Sequence, residues 1–190
     1  MNPPHFDFLS SIYDRVISAP DPALLRDRLR LPIEGRALEV GAGTGRVAAS
    51  LRPLVGRFVI SDLSESMLRE APAKCDCGRL QSYAERLPFA EASFERVLVV
   101  DALHHFRDQR TAVGEMWRVL RPGGRLVIEE MDITRRGVKL IALAEKIALM
   151  GSRFYSPSEL RAMLASCGAA PQVETDGKST VWVMADKPLR

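Results

Sequence analysis

The chain has 190 residues, with 27 lysines and arginines against 24 acidic residues, and a formal net charge of +3. Its hydrophobic share of 46% and charged share of 27% are typical of a globular protein, and we predict one domain, 1–190. The mild charge disfavours a nucleic-acid partner, which usually needs a clustered basic face. Residues 1–11 lack the basic start and apolar run of a signal peptide, so we expect a cytoplasmic protein. We expect no membrane span, because the most apolar stretch, 140–150, contains Glu145 and Lys146 and is shorter than the roughly 20 residues required.

Three cysteines, Cys75, Cys77 and Cys167, make an odd count. Zinc usually takes four ligands, often in two spaced pairs, and no second pair or nearby histidine accompanies the sequence Cys75-Asp76-Cys77. We therefore predict free thiols and no metal site.

Short β-branched runs alternate with helical patterns along the chain, which favours a parallel sheet with helices on both faces. The predicted strands are 36–40, 57–61, about 80–84, 96–101, 125–130, 171–174 and 180–186. The predicted helices are 45–54, 64–71, 108 to a turn at 121–124, 137–150, and 156 to about 167. The pair Asp176-Gly177 is typical of a hairpin turn and predicts that the last two strands are antiparallel.

A glycine-rich turn follows the first strand in the sequence Leu38-Glu39-Val40-Gly41-Ala42-Gly43-Thr44-Gly45. Glycines at alternate positions let the backbone turn sharply and approach a ligand closely. Their spacing differs from the Gly-x-Gly-x-x-Gly of dinucleotide-binding enzymes. Asp62 ends the second strand about 20 positions later, where a carboxylate can accept hydrogen bonds from both hydroxyls of a ribose. The pair predicts a site for an adenosine-containing ligand.

These residues resemble the motifs of the class I S-adenosylmethionine-dependent methyltransferases, and the resemblance runs through most of the chain. Residues 39–45 (EVGAGTG) match the family's first motif, and 61–64 (SDLS) with Met67 match its second. Residues 83–89 (YAERLPF), 101–106 (DALHHF) and 119–129 (VLRPGGRLVIE) match the later motifs in order. The pattern is most similar to that of the ubiquinone/menaquinone-biosynthesis and related small-molecule methyltransferases.

The resemblance implies a Rossmann-like three-layer α/β sandwich with a seven-stranded, mostly parallel sheet, in the order 3-2-1-4-5-7-6 with the last strand antiparallel. It implies S-adenosyl-L-methionine as cofactor. The implied cofactor-binding residues are Glu39, Gly41, Ala42, Gly43, Asp62, Leu63, Met67, Ala84, Glu85, Asp101 and Ala102. Tyr83 stands where the family often has an aspartate for adenine. Adenine is then left to the backbone of Ala84, to Glu85 or to stacking on an aromatic ring.

Methyl transfer from a sulfonium is an in-line displacement, for which the protein mainly supplies alignment and exclusion of water. His104 and His105 follow the fourth strand, at the edge where ligands of such sheets bind. Either can serve as a general base for the acceptor, since imidazole titrates near neutrality; the alternative is that both only pack or cap the following loop.

Two segments outside the strand–helix alternation can complete the site. We predict that residues 1–32 form an N-terminal helical cap. The resemblance implies that 5–13 (HFDFLSSIY) folds over the cofactor with Tyr13 near the methyl group; the alternative is an amphipathic helix packed on the sheet edge. Residues 137–155 can wall an acceptor pocket, or their apolar helix is simply buried against the domain.

The favoured function is methylation of a small, apolar or aromatic acceptor. Residues 101–104 (DALH) stand where enzymes that methylate exocyclic amines of nucleic-acid bases usually carry Asn/Asp-Pro-Pro-aromatic, and no catalytic cysteine follows. A methyltransferase acting on protein or RNA and a cofactor-binding protein without catalysis stay open as alternatives. A nicotinamide-dependent oxidoreductase is disfavoured by the glycine spacing and the later motifs.

Overall fold

The computed structural model describes residues 21–71, 75–147 and 151–189. The strands are β1 (Ile33–Val40), β2 (Val55–Asp62), β3 (Gly78–Gln81), β4 (Phe94–Val100), β5 (Leu120–Met131), β6 (Gln172–Thr175) and β7 (Thr180–Asp186). The helices are α1 (Pro22–Leu29), α2 (Arg46–Leu51), α3 (Glu65–Glu70), α4 (Gln109–Val119), α5 (Arg136–Ile147) and α6 (Pro157–Ala165). Short 3-10 turns, Arg52–Leu54 and Leu103–His105, follow α2 and β4.

The seven strands form one sheet in the order β3-β2-β1-β4-β5-β7-β6. Neighbouring strands from β3 to β5 pair in parallel, whereas β7 runs antiparallel to both β5 and β6. The predicted fold and strand order are therefore confirmed. The order reverses between β1 and β4, and open sheets of this kind bind ligands in the crevice outside that reversal.

The sheet is covered on both faces, as the run of apolar residues in β4 indicates. Val97 and Val99 belong to one buried cluster, and the residues between and after them, Leu98 and Val100, belong to another. Helices α4 and α6 contribute to the first cluster, while α1, α2 and α3 contribute to the second. Burial on both faces explains why β4 lacks the alternation of polar and apolar residues seen in half-exposed strands.

Side-chain caps fix where several helices begin, at positions that the sequence indicates. The Ser64 hydroxyl accepts a hydrogen bond from the Met67 amide at 3.3 Å, and Asp108 accepts one from the Thr111 amide at 3.1 Å. Helix α6 begins with a capping box, in which Ser156 and Glu159 each accept from the other's backbone amide. Such caps satisfy backbone donors that the first helical turn leaves unpaired.

The predicted turn at 121–124 is wrong, because these residues form a bulge within β5. Phe94 pairs with Leu120, but Arg96 pairs with Arg125, so the four intervening residues of β5 oppose a single residue of β4. Gly123 takes φ +73° there. The backbone of the bulge pairs with Lys187, which accepts from Gly123 at 2.9 Å and donates to Gly124 at 2.8 Å. The turn-forming residues therefore kink a continuous strand.

The expectation for the cysteines needs correction. The structure joins Cys75 and Cys77 in a disulfide, with Cα atoms 5.4 Å apart, so only Cys167 of the three matches the prediction of free thiols. In helix α5, Val138 is buried, whereas Leu140 and Leu143 are 69% and 54% exposed. Across residues 21–71, 75–147 and 151–189, we find no helix with the length and apolar character needed to span a membrane.

The predicted N-terminal cap 1–32 is described only from residue 21. Helix α1 begins after Asp21, whose side chain accepts from the Ala23 amide at 2.9 Å, and buries Leu25 and Leu29 against one face of the sheet. The segment 5–13 and Tyr13 lie outside the described residues.

Candidate active site

A crevice of about 250 Å³ opens at the carboxyl ends of β1, β2 and β4. Every predicted cofactor-binding residue lines it: Glu39, Gly41, Ala42, Gly43, Asp62, Leu63, Met67, Ala84, Glu85, Asp101 and Ala102. His105 lines it as well, but His104 does not. The fold thus brings together residues from motifs that are up to about 65 positions apart in sequence.

The glycine-rich turn forms one wall of the crevice through its backbone. Gly41, Gly43 and Gly45 have φ angles of +73°, +53° and +72°, a region that other residues rarely adopt. A Cβ atom on Gly41 would lie 2.6 Å from the Ala102 Cβ and 3.1 Å from the Phe106 ring. The turn is fastened to β2, since the amides of Gly41 and Ala42 donate to the Ser61 carbonyl at 2.8 and 3.1 Å.

Asp62 is held in place by two backbone amides. Its Oδ2 accepts from the Gly43 amide and its Oδ1 accepts from the Ser64 amide, each at 2.8 Å. Burial raises the pKa of Asp62, while the hydrogen bonds from the Ser64 and Gly43 amides oppose that rise. A carboxylate has about four acceptor sites, so each oxygen keeps capacity for a ligand hydroxyl. The arrangement fits the ribose role predicted for Asp62.

Two other carboxylates of the crevice have a buried oxygen without a hydrogen-bond partner among the described residues, Oε2 of Glu39 and Oδ1 of Asp101. Burial raises the pKa of Glu39 to about 8. Burial, with the nearby Glu130 carboxylate, raises the pKa of Asp101 to about 6. Unpaired buried acceptors are costly, and a cationic ligand group relieves that cost. These atoms fit S-adenosylmethionine, whose amino acid end carries an ammonium.

Asp101 also has a strained backbone. Its φ of +49° is unusual for a residue with a side chain, and its amide donates to the Glu129 carbonyl at 2.9 Å. Non-glycine residues in this conformation concentrate at functional sites. The strain turns the chain sharply at the end of β4, directly before the two histidines.

The predicted adenine side is only partly as expected. Ala84 is buried in the wall of the crevice, and Tyr83 is 44% exposed. Glu85 lines the crevice, but its Oε1 accepts from the amides of Arg107 and Asp108 at 2.9 and 3.0 Å, which fastens the loop before α4. The ring of Phe106 also lines the crevice and is available for stacking. In the sequence, the position of Phe106 at the end of the DALHHF motif is the feature that could have indicated this role.

The structure separates the two histidines that the sequence treats alike. His104 is buried, and its Nδ1 lies 2.7 Å from Oε2 of Glu130. Burial opposes protonation of His104, but the Glu130 carboxylate outweighs it and raises the pKa of His104 to about 9. Burial and the charge of His104 lower the pKa of His105 to about 3, so His105 is neutral. The ring centroids are 4.0 Å apart.

Three partners of the histidines were not foreseen from the sequence. Glu130, at the end of β5, pairs with His104 and also accepts from the Leu103 amide at 2.6 Å. Ser152 Oγ lies 3.0 Å from Nδ1 of His105. Glu145, on α5, lies beside both rings. Glu130 and Glu145 each interrupt an apolar run, which is a sequence signal for a functional acidic residue. The sequence does not indicate which side chains they face.

Comparisons with known proteins agree with this geometry. A family model described as a methyltransferase domain matches residues 38–128. A demethylmenaquinone methyltransferase of Clavibacter sepedonicus is 32% identical over 186 residues, which are 90% of this chain and 76% of that protein. Another from Chlorobaculum tepidum is 35% identical over 144 residues, 71% of this chain and 58% of that protein.

A solved structure from Thermotoga maritima, of an S-adenosylmethionine-dependent methyltransferase described as a possible histamine N-methyltransferase, shares the fold. It has a TM-score of 0.77 and 23% identity, and the match covers 97% of this chain and 100% of that one. The sequence similarity to the Clavibacter enzyme spans nearly the whole chain, and the crevice contains the residues that the family motifs predict. The chain therefore belongs to the class I S-adenosylmethionine-dependent methyltransferases, and S-adenosylmethionine is its cofactor.

Proposed function

We propose that this enzyme methylates a small aromatic acceptor of the quinone type. The observation that carries the proposal is the 32% identity to a demethylmenaquinone methyltransferase across 90% of the chain. The lining of the crevice supports it, because His105 lies at its wall and offers an aromatic acceptor a polar contact.

The cofactor residues divide by the part of the ligand that they hold. The backbone of Gly41 and Gly43 gives close approach, and Asp62 accepts from the ribose hydroxyls. Glu39 and Asp101 supply their unpaired oxygens to the ammonium. Leu63, Met67, Ala84, Glu85 and Ala102 complete the wall. When bound, S-adenosylmethionine supplies a methyl group already activated on a sulfonium sulfur.

On the acceptor side we assign His105 to the acceptor, because it lines the crevice next to Asp101 while His104 lies behind it. His104, with its ring held by Glu130, orients the turn that carries His105. The residues then act by alignment for in-line transfer and by exclusion of water. Tyr13, the segment 5–13 and residues 137–155 are proposed to close this side within a single domain.

A methyl-transfer assay tests the proposal. The purified chain is incubated with S-adenosylmethionine labelled in the methyl group and, separately, with hydroquinones, phenols, small amines, a mixed protein sample and total RNA. We expect label in the hydroquinone or phenol products. Label in protein or RNA alone would replace the proposed acceptor by a macromolecule. Cofactor binding without transfer to any member of this set would leave a binding protein without catalysis.

A further inference from the structure

A cluster of metal-ligating side chains lies beside the crevice, among residues that the cofactor does not use. One ring nitrogen of His104, one of His105 and one carboxylate oxygen of Glu145 all lie within 4.8 Å of one another. The histidines come from the 3-10 turn after β4, and Glu145 comes from α5. The three side chains therefore come from two elements that lie about 40 positions apart in the sequence.

His104 is oriented as metal-bound histidines usually are. Its Nδ1 is paired with Oε2 of Glu130 at 2.7 Å, which leaves Nε2 as the ring nitrogen for a metal. Metal-ligating histidines almost always donate the other ring nitrogen's proton to such a partner. The ring is also fixed by Phe154, which stacks on it at 4.4 Å between centroids and 16° between planes.

Glu145 provides an independent observation that favours a cation at this cluster. Its Oε2 is buried and has no hydrogen-bond partner in the described part of the chain. The same helix exposes Leu140 and Leu143 to solvent, so it is Glu145 that turns inward. Asp101, Glu130 and Glu145 place three carboxylates around two imidazole rings, an excess of negative charge that a bound cation offsets.

We propose that His104, His105 and Glu145 bind a divalent transition metal of the zinc type. Two imidazoles and one carboxylate are the protein ligands of a known class of catalytic zinc site, in which a further position stays open. Nitrogen ligands of this kind do not suit Mg²⁺, which takes oxygen. The sequence prediction of no metal site considered only the cysteine pair.

The role of the metal rests on the proposed function, although its binding does not. His105 belongs to both the cluster and the crevice wall, so a metal held by this residue would lie beside the crevice. When bound, such a metal would make an acceptor hydroxyl more acidic, and loss of that proton to solvent would make an aromatic acceptor more nucleophilic. His105 then reaches the acceptor through the metal and need not take the proton itself.

The test uses Co²⁺ as a spectroscopic probe, titrated into the purified full-length chain at mildly alkaline pH because protons compete for imidazole. We expect one Co²⁺ with visible d–d absorption, displaced by Zn²⁺. Glu145→Gln and His105→Gln should each weaken binding by at least about tenfold, and Glu130→Gln by roughly 10- to 100-fold. The control Glu34→Gln alters an exposed carboxylate at the opposite end of β1 and should bind Co²⁺ as the wild type does.

Calorimetric titration with S-adenosylmethionine, on the same samples, separates this proposal from the proposed function. Retained cofactor affinity shows that a variant is folded. If Glu145→Gln or His105→Gln is not folded, Glu145→Ala is tested in its place. Absence of Co²⁺ absorption in the wild type overturns the metal site. Co²⁺ binding that is unchanged in both Glu145→Gln and His105→Gln overturns it too, since the ion is then held elsewhere. Failure of the wild type to transfer methyl to any hydroquinone affects only the proposed function.

Discussion

The cofactor end of the sheet, at β1 and β2, and the proposed acceptor end, at β4 and β5, are built in different ways. Around Gly41 and Asp62, the site is shaped mainly by backbone conformation and backbone amides. Asp62 is fixed by amides that are 2 and 19 positions away in sequence. Around His104 and His105, the contacts join side chains that are distant in sequence. Glu130 contacts His104 from 26 positions away, and Ser152 contacts His105 from 47 positions away.

The difference explains how one fold serves different acceptors. A site shaped by backbone amides and positive φ angles depends on a short motif, so the cofactor end changes little when other side chains change. The acceptor end depends on a few side chains from separate elements, and exchanging them alters the chemistry while leaving the sheet intact. The comparison predicts that substitutions at the two ends have separable effects.

The largest expected effect is on turnover. His105→Ala should lower the methyl-transfer rate by about 10²-fold or more, because this variant lacks the group that we propose meets the acceptor. Affinity for S-adenosylmethionine should change little, since Gly41, Gly43 and Asp62 are untouched. Rates with an active acceptor and calorimetric affinities on the same preparation check both statements. Full turnover in His105→Ala would remove His105 from the acceptor side.

A second effect concerns stability at the cofactor end. Gly41→Ala and Gly177→Ala share a φ of +73°, so each should lose about 1–2 kcal/mol for the left-handed conformation. At Gly41 the new Cβ would lie 2.6 Å from the Ala102 Cβ. At Gly177 the new Cβ would have no neighbouring heavy atom within 4 Å. Crowding should cost Gly41→Ala roughly 1–3 kcal/mol more. Denaturant unfolding of both variants measures the difference; equal losses would contradict the close approach.

A smaller effect is the pH dependence from Glu39. Burial raises its pKa from 4.5 to about 8, so the folded chain keeps a proton that the unfolded chain releases. The resulting stability is fully present below about pH 4.5 and is lost as the pH rises through about 8, with a slope of at most about 1.4 kcal/mol per pH unit. Glu39→Gln should flatten this slope in unfolding measured without ligand. Parallel slopes for the two proteins would mean that Glu39 is not buried as described.

The two ends also differ in how far the sequence predicts them. Gly41, Gly43 and Asp62 act through local backbone geometry, which the spacing of glycines and an acidic residue encodes directly. The strand order was implied by the family resemblance, and the turn at Asp176-Gly177 predicted that the last two strands are antiparallel. These parts of the fold were predicted correctly.

The acceptor end could not be predicted in the same way, because its contacts join residues distant in sequence. Nothing near His104 in sequence indicates that Glu130 pairs with it and keeps it out of the crevice. In the sequence, Glu145 only interrupts an apolar helix, because the periodicity of the apolar residues does not show which helix face packs inward. The bulge at 121–124 was missed for a related reason: turn-forming residues also occur where a strand kinks between two partners.

Calorimetric titration of S-adenosylmethionine into Asp62→Ala, beside the wild type, tests the central claim that the β1–β2 end holds the cofactor. Loss of charge-assisted hydrogen bonds of roughly 1.5–3 kcal/mol should weaken binding by about tenfold to a hundredfold or more. Asp27→Ala, which removes an exposed carboxylate on α1, should bind as the wild type does. A folded Asp62→Ala protein with wild-type affinity would contradict the account.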